Sequence, residues 1–256
     1  MPTLEVDGVR LHYEQAGGGE PIVLLHGFTS SYVENWVETG WVRRLLAEGF
    51  GVVGMDARGH GRSTKLRAAA AYETAVLAGD VVAVLDRLRI ERAHAVGFSM
   101  GAGIALQLAQ DHPARVGAVV VAGIGDKAIR GLHDAVEIRE IEAALKGRAG
   151  NTRTGELARR IRLNAERAGN DPAALAAFFE RGGWPGDLTS VGHVAAPVLA
   201  VLAGDDEFMP TADELVRRTL ARVARLTDCG HAAAARDPRF VELALSFLRE
   251  HRLSAS

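Results

Sequence analysis

The chain has 256 residues, 48% of them hydrophobic and 24% charged, and its formal net charge at pH 7 is −2. This composition is typical of a globular protein that buries a sizeable core, and it contains no basic or acidic block that would favour a nucleic acid or a membrane surface as partner. No run reaches the ~20 apolar residues of a membrane-spanning helix, the N-terminal residues do not have the pattern of a signal peptide, and the single cysteine, Cys229, favours a cytoplasmic location.

Short apolar runs alternate with longer segments of helical periodicity along most of the chain. The predicted strands are 3–6, 9–14, 22–25, 51–55, 93–98, 116–122, 197–203 and 223–227, and the predicted helices between and after them are 41–48, 72–88, 101–110 and 240–248. Strands that alternate with helices of this length are typical of an α/β fold, with a mostly parallel central sheet and helices on both faces.

One long stretch interrupts this alternation. Between about residues 125 and 194 no strand pattern occurs, and three amphipathic segments, 129–146, 156–167 and 171–181, are predicted to be helical. Their apolar positions are Ile138, Ile141, Leu145, Leu157, Ile161, Leu175, Phe178 and Phe179. Because such stripes must be buried, we expect residues 125–194 to form a helical cap inserted into a core of residues 1–124 and 195–256. The glycine-rich return, Gly182 to Gly186, would allow the cap to move.

The most informative motif is Gly97-Phe98-Ser99-Met100-Gly101, which has the pattern G-x-S-x-G. It lies between a predicted strand and a predicted helix of small residues. A serine in such a turn is held at strained backbone angles, with its hydroxyl exposed, and the flanking glycines avoid clashes. The N–H groups at the start of the following helix point to the place where an oxyanion would form.

The carboxyl ends of parallel strands meet at one edge of a sheet, where ligands bind in open α/β folds. Three chemically useful groups follow predicted strands at this edge: Ser99, the acidic run 205–207 and His231. The sequence therefore predicts that a serine, an acid and a histidine converge there, in that chain order.

In these motifs the chain resembles the α/β-hydrolase superfamily over nearly its whole length. The matching segments are His26-Gly27-Phe28, the D-x-R-G-x-G-x-S turn from Asp56 to Ser63, the turn around Ser99, the acid loop before Pro210, and Cys229-Gly230-His231 followed by Asp237-Pro238. The order and spacing of these segments make the resemblance specific.

The resemblance implies a catalytic role for each group. Ser99 would be the nucleophile, His231 the general base and then the general acid, and Asp206 the residue that orients the histidine. The backbone N–H groups of Phe28 and Met100 would form the oxyanion hole. No cofactor or metal is implied, and the partner would be a small-molecule acyl substrate; the oligomeric state stays open.

The acid loop departs from the usual family pattern. Counting back from Pro210 selects Asp206, whereas counting from the preceding glycine selects Glu207. Aspartate is the usual acid of the family, so we favour Asp206, with Asp205 as the second candidate. Some members place the acid after the preceding strand, which makes Asp126 the third.

Five side chains are candidates for lining the acyl pocket: Phe28, Met100, Trp184, Phe208 and Met209. Each of these apolar side chains could equally belong to the hydrophobic core, so the sequence leaves both interpretations open.

Other polar residues near the motifs have simpler interpretations. Cys229 lies two residues before His231, but a packed neutral thiol is favoured over a Cys–His site. His26 and His60 lack accompanying carboxylate or thiol spacing, so structural hydrogen bonding is favoured over metal binding. Arg58 is expected to be solvated or structural.

These motifs do not favour four other functions. A short-chain dehydrogenase requires a Tyr-x-x-x-Lys motif, which is absent here. A catalytically idle ligand-binding fold usually lacks a triad member. Haloalkane dehalogenases and epoxide hydrolases share the fold but need aspartate in place of Ser99.

We therefore expect a hydrolase of small carboxylic esters or lactones. A carbon–carbon bond hydrolase and a cofactor-free haloperoxidase or perhydrolase are the alternatives that use the same triad, because function follows the site rather than the fold.

Overall fold

The computed structural model describes residues 2–131, 133–148, 150, 152–180, 184–189 and 191–253. Within these ranges the strands are β1 (Thr3–Val6), β2 (Val9–Ala16), β3 (Glu20–Leu25), β4 (Phe50–Met55), β5 (Ala93–Phe98), β6 (Val116–Ala122), β7 (Val198–Ala203) and β8 (Arg222–Leu226). The α-helices are α1 (Trp41–Ala47), α2 (Thr74–Arg87), α3 (Met100–Asp111), α4 (Asp126–Arg130), α5 (Ala135–Leu145), α6 (Arg153–Arg167), α7 (Pro172–Leu175), α8 (Asp213–Thr219), α9 (His231–Ala234) and α10 (Pro238–Glu250). Among the described residues, none of these helices is long and apolar enough to cross a bilayer.

The eight strands form one sheet in the order β1-β2-β4-β3-β5-β6-β7-β8. β1 pairs with β2, and β2 with β4, in antiparallel fashion, and all other neighbours are parallel. This arrangement confirms the predicted mostly parallel α/β fold. The ends of each predicted strand lie within two residues of those observed.

Both faces of the sheet are buried, which explains why the central strands are continuous apolar runs rather than alternating ones. In β4, for example, Val52 and Val53 point into two different layers of buried side chains. Helices α1 and α10 cover the face of Val52, where the rings of Trp41 and Phe240 pack edge to face at 4.7 Å. Helices α2 and α3 cover the other face.

The chain between β6 and β7 contains α4 to α7, which we call the helical segment. The prediction of one helix over residues 129–146 was wrong. The helix is interrupted at Gly131, which adopts φ +63° and closes the last turn of α4, and Asp134 then caps α5 by accepting from the N–H groups of Val136 and Glu137. A left-handed glycine ends a helix at little cost, so the amphipathic period alone overestimated the helix length.

The third predicted helix of this segment was also too long. Of its described residues, 171–180, Pro172–Leu175 are α-helical, and the chain continues as a 3-10 turn over Ala176–Phe178. Gly182 and Gly183 of the predicted flexible return lie outside the described residues. Gly186, at its end, packs against α3: a Cβ on Gly103 would lie 2.2 Å from the Gly186 carbonyl oxygen.

Candidate active site

Ser99 occupies a tight turn between β5 and α3. Its backbone angles, φ 53° and ψ −115°, lie in a region that residues with side chains rarely adopt, and its N–H donates to the carbonyl of Ala122 at 2.8 Å. The backbone segments around this turn approach each other so closely that positions 97 and 101 must be glycine. A Cβ on Gly97 would lie 2.2 Å from the carbonyl oxygen of Gly101, and one on Gly101 would lie 2.0 Å from that of Leu25. The G-x-S-x-G pattern is thus the sequence that this turn needs.

A chain of hydrogen bonds joins the serine to a histidine and an acid. His231 Nε2 lies 3.1 Å from Ser99 Oγ, and His231 Nδ1 lies 2.9 Å from Asp206 Oδ2. An ionised carboxylate only accepts hydrogen bonds, so in the neutral ring Nδ1 carries the proton and Nε2 can accept from the serine hydroxyl. The rings of Phe98 and Phe208 pack against His231 at 5.2 and 5.0 Å and help to hold the ring in place.

The loop after β7 stabilises Asp206 as a carboxylate. Its burial alone would raise the pKa, but hydrogen bonding and charge from His231 outweigh burial and leave the pKa of Asp206 below its ordinary value. The N–H groups of Phe208 and Met209 contribute to this, because they donate to Oδ1 at 2.9 and 2.8 Å. One carboxylate oxygen is therefore held by the backbone, and the other faces the imidazole.

The other acidic candidates have different environments. Asp205 is exposed, and it contributes its backbone N–H, which donates to the Cys229 carbonyl at 3.0 Å. Glu207 accepts from the backbone N–H of His231 at 3.3 Å and does not reach the ring. Asp126 is buried and accepts from the N–H groups of Glu214 and Leu215 at 2.8 and 3.2 Å. Its carboxylate thus stabilises the first turn of α8.

The backbone N–H groups of Phe28 and Met100 are the predicted oxyanion donors. The Met100 N–H is the first of α3, so it has no acceptor within its helix. The loop that carries Phe28 follows β3, and α3 begins directly against that strand end: a Cβ on Gly101 would lie 2.7 Å from the His26 carbonyl oxygen. Within the described ranges neither N–H donates to another group of the protein.

Two buried histidines support the loop after β3. His26 Nε2 accepts from the N–H of Ala57 at 3.0 Å, and His26 Nδ1 lies 2.8 Å from the Gly27 carbonyl. His60 Nε2 accepts from the N–H of Thr29 at 3.3 Å. Burial lowers the pKa of His26, and it lowers that of His60 well below the ordinary value. Both rings are therefore neutral structural groups at physiological pH, as their sequence context indicated.

The D-x-R-G-x-G-x-S turn is organised by the carboxylate of Asp56, which is buried. Its Oδ1 accepts from the N–H of Tyr32, and its Oδ2 accepts from the N–H of Arg62, both at 2.9 Å. Ser63 closes the turn, since its hydroxyl donates to the Asp56 carbonyl at 2.6 Å and accepts from the N–H of His12 at 2.9 Å. This motif is an internal scaffold for the loops around the site.

Cys229 and Arg58 have structural environments. Cys229 is 4% exposed, and burial raises the pKa of its thiol, so the thiol is neutral and packed. Arg58 is buried rather than solvated, and it forms a bidentate ion pair with Asp80 of α2, with N–O distances of 2.7 and 2.5 Å. This pair ties the loop after β4 to the helix layer.

A cavity of about 370 Å³ opens beside Ser99 and His231. Its apolar wall includes four of the predicted pocket residues, Phe28, Trp184, Phe208 and Met209. The fifth, Met100, does not line it, because its side chain is 1% exposed and packs into the core between the sheet and α3. The side chain of Met100 is therefore part of the core and not of the cavity wall.

The helical segment forms another side of the cavity. Leu157, Arg160, Ile161 and Asn164 of α6 line it. Two of these, Leu157 and Ile161, belong to the apolar stripe recognised in the sequence, whereas the stripe residues of α5 are buried in the core. The lining also includes the ion pair between Arg236 and Glu34, whose charged atoms are 3.8 Å apart.

Sequence reasoning missed two asparagines at this site. Asn35 accepts from the N–H of Gly27 at 3.0 Å. Asn170 links the helical segment to the loops after β3 and β4 through three hydrogen bonds. Neither belongs to a short motif, and their partners are remote in the chain, so no local signal identifies them. Within the described residues, no group of three or more His, Cys, Asp or Glu side chains is arranged to hold a metal ion.

Comparison with known proteins places this geometry in a family. Residues 20–181 match the family model for the alpha/beta hydrolase fold. A relative from Cupriavidus necator, the dihydrolipoyllysine-residue acetyltransferase component of an acetoin cleaving system, is 31% identical over 243 residues, which are 89% of this chain and 63% of the relative. Epoxide hydrolase B of Mycobacterium tuberculosis is 43% identical over 102 residues, which are 40% of this chain and 28% of the relative.

The chain thus spans less than two thirds of the length of these curated relatives. Among solved structures, an N-acyl homoserine lactone degrading enzyme superposes with a TM-score of 0.74 at 29% identity, covering 96% of this chain and 100% of that one. The family match covers more than half of the chain. The chain therefore belongs to the alpha/beta hydrolase fold family of enzymes.

Proposed function

We propose that the protein is a serine hydrolase that cleaves a small carboxylic ester or lactone through an acyl-enzyme intermediate on Ser99. The observation that carries this proposal is the continuous hydrogen-bonded chain from Ser99 Oγ through His231 to Asp206, with distances of 3.1 and 2.9 Å. A serine hydroxyl is a weak nucleophile until a neighbouring base takes its proton, and this arrangement supplies the base together with the carboxylate that orients it.

The first half of the reaction acylates the serine. Ser99 Oγ attacks the substrate carbonyl carbon while its proton moves to His231 Nε2, and the carbonyl oxygen becomes an oxyanion that accepts from the Phe28 and Met100 N–H groups. When the tetrahedral intermediate collapses, the carbon–oxygen bond to the leaving alcohol breaks and His231 returns the proton to that oxygen. Asp206 stabilises the imidazolium throughout.

Water completes the turnover. His231 takes a proton from a water molecule, the resulting hydroxide attacks the acyl carbon, and Ser99 leaves with the proton that His231 gives back. The carboxylic acid product is released, and the enzyme returns to its starting state. With a lactone, the leaving alcohol stays attached to the acyl group, so the product is a single hydroxy acid.

The cavity supports a small substrate. At about 370 Å³ it lies at the lower end of the range for small-molecule sites. We assign residues 125–194 as a helical cap, in which Leu157 and Ile161 of α6 and Trp184 bound the acyl group on the side opposite the sheet.

Lactones are included among the proposed substrates because of the similarity to a solved lactone-degrading enzyme. The solved lactone-degrading enzyme covers nearly the whole of this chain at 29% identity. Residue 99 is serine, and epoxide opening in this superfamily requires aspartate at that position. We therefore favour acyl transfer over epoxide hydrolysis.

The test is a substrate screen coupled to detection of the covalent intermediate. We expect p-nitrophenyl esters of two to six carbons, or lactones of similar size, to be hydrolysed, and rapid acid quenching to trap an acyl group on the Ser99 peptide. Best activity on esters of twelve to sixteen carbons would contradict the small pocket. Turnover of epoxides, of carbon–carbon substrates or of halide with peroxide, without an ester or lactone activity, would overturn the proposal.

A further inference from the structure

A buried asparagine of the helical segment contacts the loop that carries Phe28. Asn170 follows the C-terminal end of α6, and its backbone N–H donates to the Ala165 carbonyl at 2.9 Å, which closes that helix. The side chain is 6% exposed. Its Nδ2 donates to the carbonyls of Thr29 and Ser30 at 2.8 and 3.2 Å, and its Oδ1 accepts from the N–H of Gly61 at 2.7 Å.

These contacts determine the shape of the turn around Phe28. Thr29 adopts φ +64°, a conformation that needs support from its surroundings in a residue with a branched side chain. Its N–H is held by His60 and its carbonyl by Asn170. The next residue, Ser30, has its carbonyl held by Asn170, and its N–H donates to the Gly27 carbonyl at 3.2 Å.

The Gly27 carbonyl matters because it shares a peptide plane with the Phe28 N–H. In a trans peptide the two groups point in opposite directions, so a restraint on the carbonyl oxygen also fixes the direction of the N–H bond. That oxygen lies 2.8 Å from His26 Nδ1 and accepts from the Ser30 N–H. The direction of the Phe28 N–H bond therefore depends on the turn whose conformation the Asn170 hydrogen bonds stabilise.

The same helical segment also packs on the Phe28 side chain. The Phe28 ring contacts the rings of Phe178 and Phe179 edge to face, at 5.2 and 5.4 Å. Asn170 and this aromatic pair approach the loop from different parts of the segment. The loop that carries the proposed oxyanion donor is thus fixed by residues more than a hundred positions away.

We propose that Asn170 is a positioning residue for the oxyanion hole, through which the helical segment sets the direction of the Phe28 N–H. This inference rests on the proposed acyl-transfer function. Only an amide fits the position, because it must donate to two carbonyl oxygens and accept from one N–H. An ionised carboxylate of the same shape would face two carbonyl oxygens without a proton to donate, and it would push the turn away.

The variant Asn170→Asp tests this with a minimal change in shape. With p-nitrophenyl butyrate we expect kcat to fall about 10- to 100-fold and KM to change less than about threefold, because an oxyanion donor acts in the transition state and small misplacements are costly. A short-chain trifluoromethyl ketone adds Ser99 Oγ to its carbonyl and places the resulting oxyanion in the hole. Its Ki should rise by the same factor by which kcat/KM falls.

Two further variants make the test decisive. Asn170→Ala removes the hydrogen bonds without introducing charge, and it decides the question if Asn170→Asp does not fold. Arg67→Ala is the matched control, because Arg67 forms an exposed ion pair with the adjacent Asp171 at 2.7 Å and does not contact the Phe28 loop. It should leave kcat and Ki within about twofold of wild type, since exposed pairs contribute little.

The outcomes separate the two proposals. If a fluorophosphonate labels Ser99 in the wild type but both Asn170 variants keep kcat and Ki, or raise KM alone, the positioning role is wrong and the serine mechanism stands. If the wild type hydrolyses the ester without labelling at Ser99, both proposals are wrong.

Discussion

The sheet edge that carries Ser99 and the helical segment between β6 and β7 contribute to the site in different ways. At the sheet edge each functional group follows a strand, and the turn at Ser99 needs glycines that are close neighbours in sequence, as the close contact between Gly97 and Gly101 shows. The helical segment contributes through side chains whose partners are remote, such as Leu157 at the cavity and Asn170 at Thr29.

This difference separates two properties of the proposed enzyme. Groups at the sheet edge would determine whether the chemistry occurs at all, and their replacement should change the rate greatly. Groups of the helical segment that line the cavity, such as Leu157 and Ile161, would determine which acyl chains fit, and their replacement should change selectivity. Asn170 does not line the cavity and would instead act on the rate through the Phe28 loop. The following predictions test that division.

The largest effect is expected for Ser99→Ala. Removing the nucleophile should lower kcat/KM by about a thousandfold or more, leaving only the contribution of binding and the oxyanion hole. Steady-state kinetics and fluorophosphonate labelling measure this. Ser246→Ala is the control, since this serine is exposed on α10; an active Ser99→Ala variant would contradict the mechanism.

The next effect is expected at the acid. Asp206→Asn should lower kcat by about a hundredfold or more, because an amide facing Nδ1 favours the wrong histidine tautomer, though by less than Ser99→Ala does. Asp205→Asn is the matched control and should stay near wild type, because that side chain is exposed. The reverse ranking would reassign the role, and two mild effects would point to Asp126.

We expect the pH dependence of kcat/KM to reflect the uptake of a single proton. Protonated imidazole cannot accept from Ser99, so kcat/KM should fall about tenfold per pH unit on the acidic side of the profile. The pKa of Asp206 is lowered, so its carboxylate stays charged until the pH falls below the ordinary value of 3.8. It should not titrate on that limb. A pH–rate profile with a slope near two would show that the carboxylate is protonated as well.

A smaller effect is expected from the helical segment. Ile161→Trp should fill part of the cavity and reduce kcat/KM for the six-carbon ester about tenfold relative to the two-carbon ester. Leu163→Trp on the same helix is the control, because Leu163 is 48% exposed and does not line the cavity. Equal losses for both esters would mean that α6 acts on the chemistry rather than on selectivity.

The smallest effect is expected at Cys229. Its thiol is buried and has a raised pKa, so Cys229→Ala should change kcat by less than about twofold and cost stability in the ordinary range of about 0.5–3 kcal/mol. Kinetics and thermal unfolding measure the two quantities. Complete loss of activity, with the fold intact, would mean that the thiol takes part in the reaction.

Several of these residues could be identified before the structure was known because their signals are local. Ser99 lies in a turn whose glycines are needed within two residues on either side, and His231 directly follows the loop after β8. Strand positions were predicted from apolar runs for the same reason. The exceptions are the end of β2 and the start of β3. Gln15 and Ala16 are ordered by antiparallel pairing with β4, and Glu20 and Pro21 by parallel pairing with β4.

The amino-acid sequence by itself determined the α/β alternation, the positions of the strands and the identity of the serine and histidine, because strand burial and tight turns depend on a few adjacent residues. Only the tertiary structure decided that Asp206, rather than Asp205 or Glu207, faces the imidazole, since the direction of three consecutive acidic side chains depends on how the loop packs. It also decided that Met100 is a core side chain and that Asn170 reaches Thr29. Such contacts join residues far apart in the chain, and no local pattern encodes them.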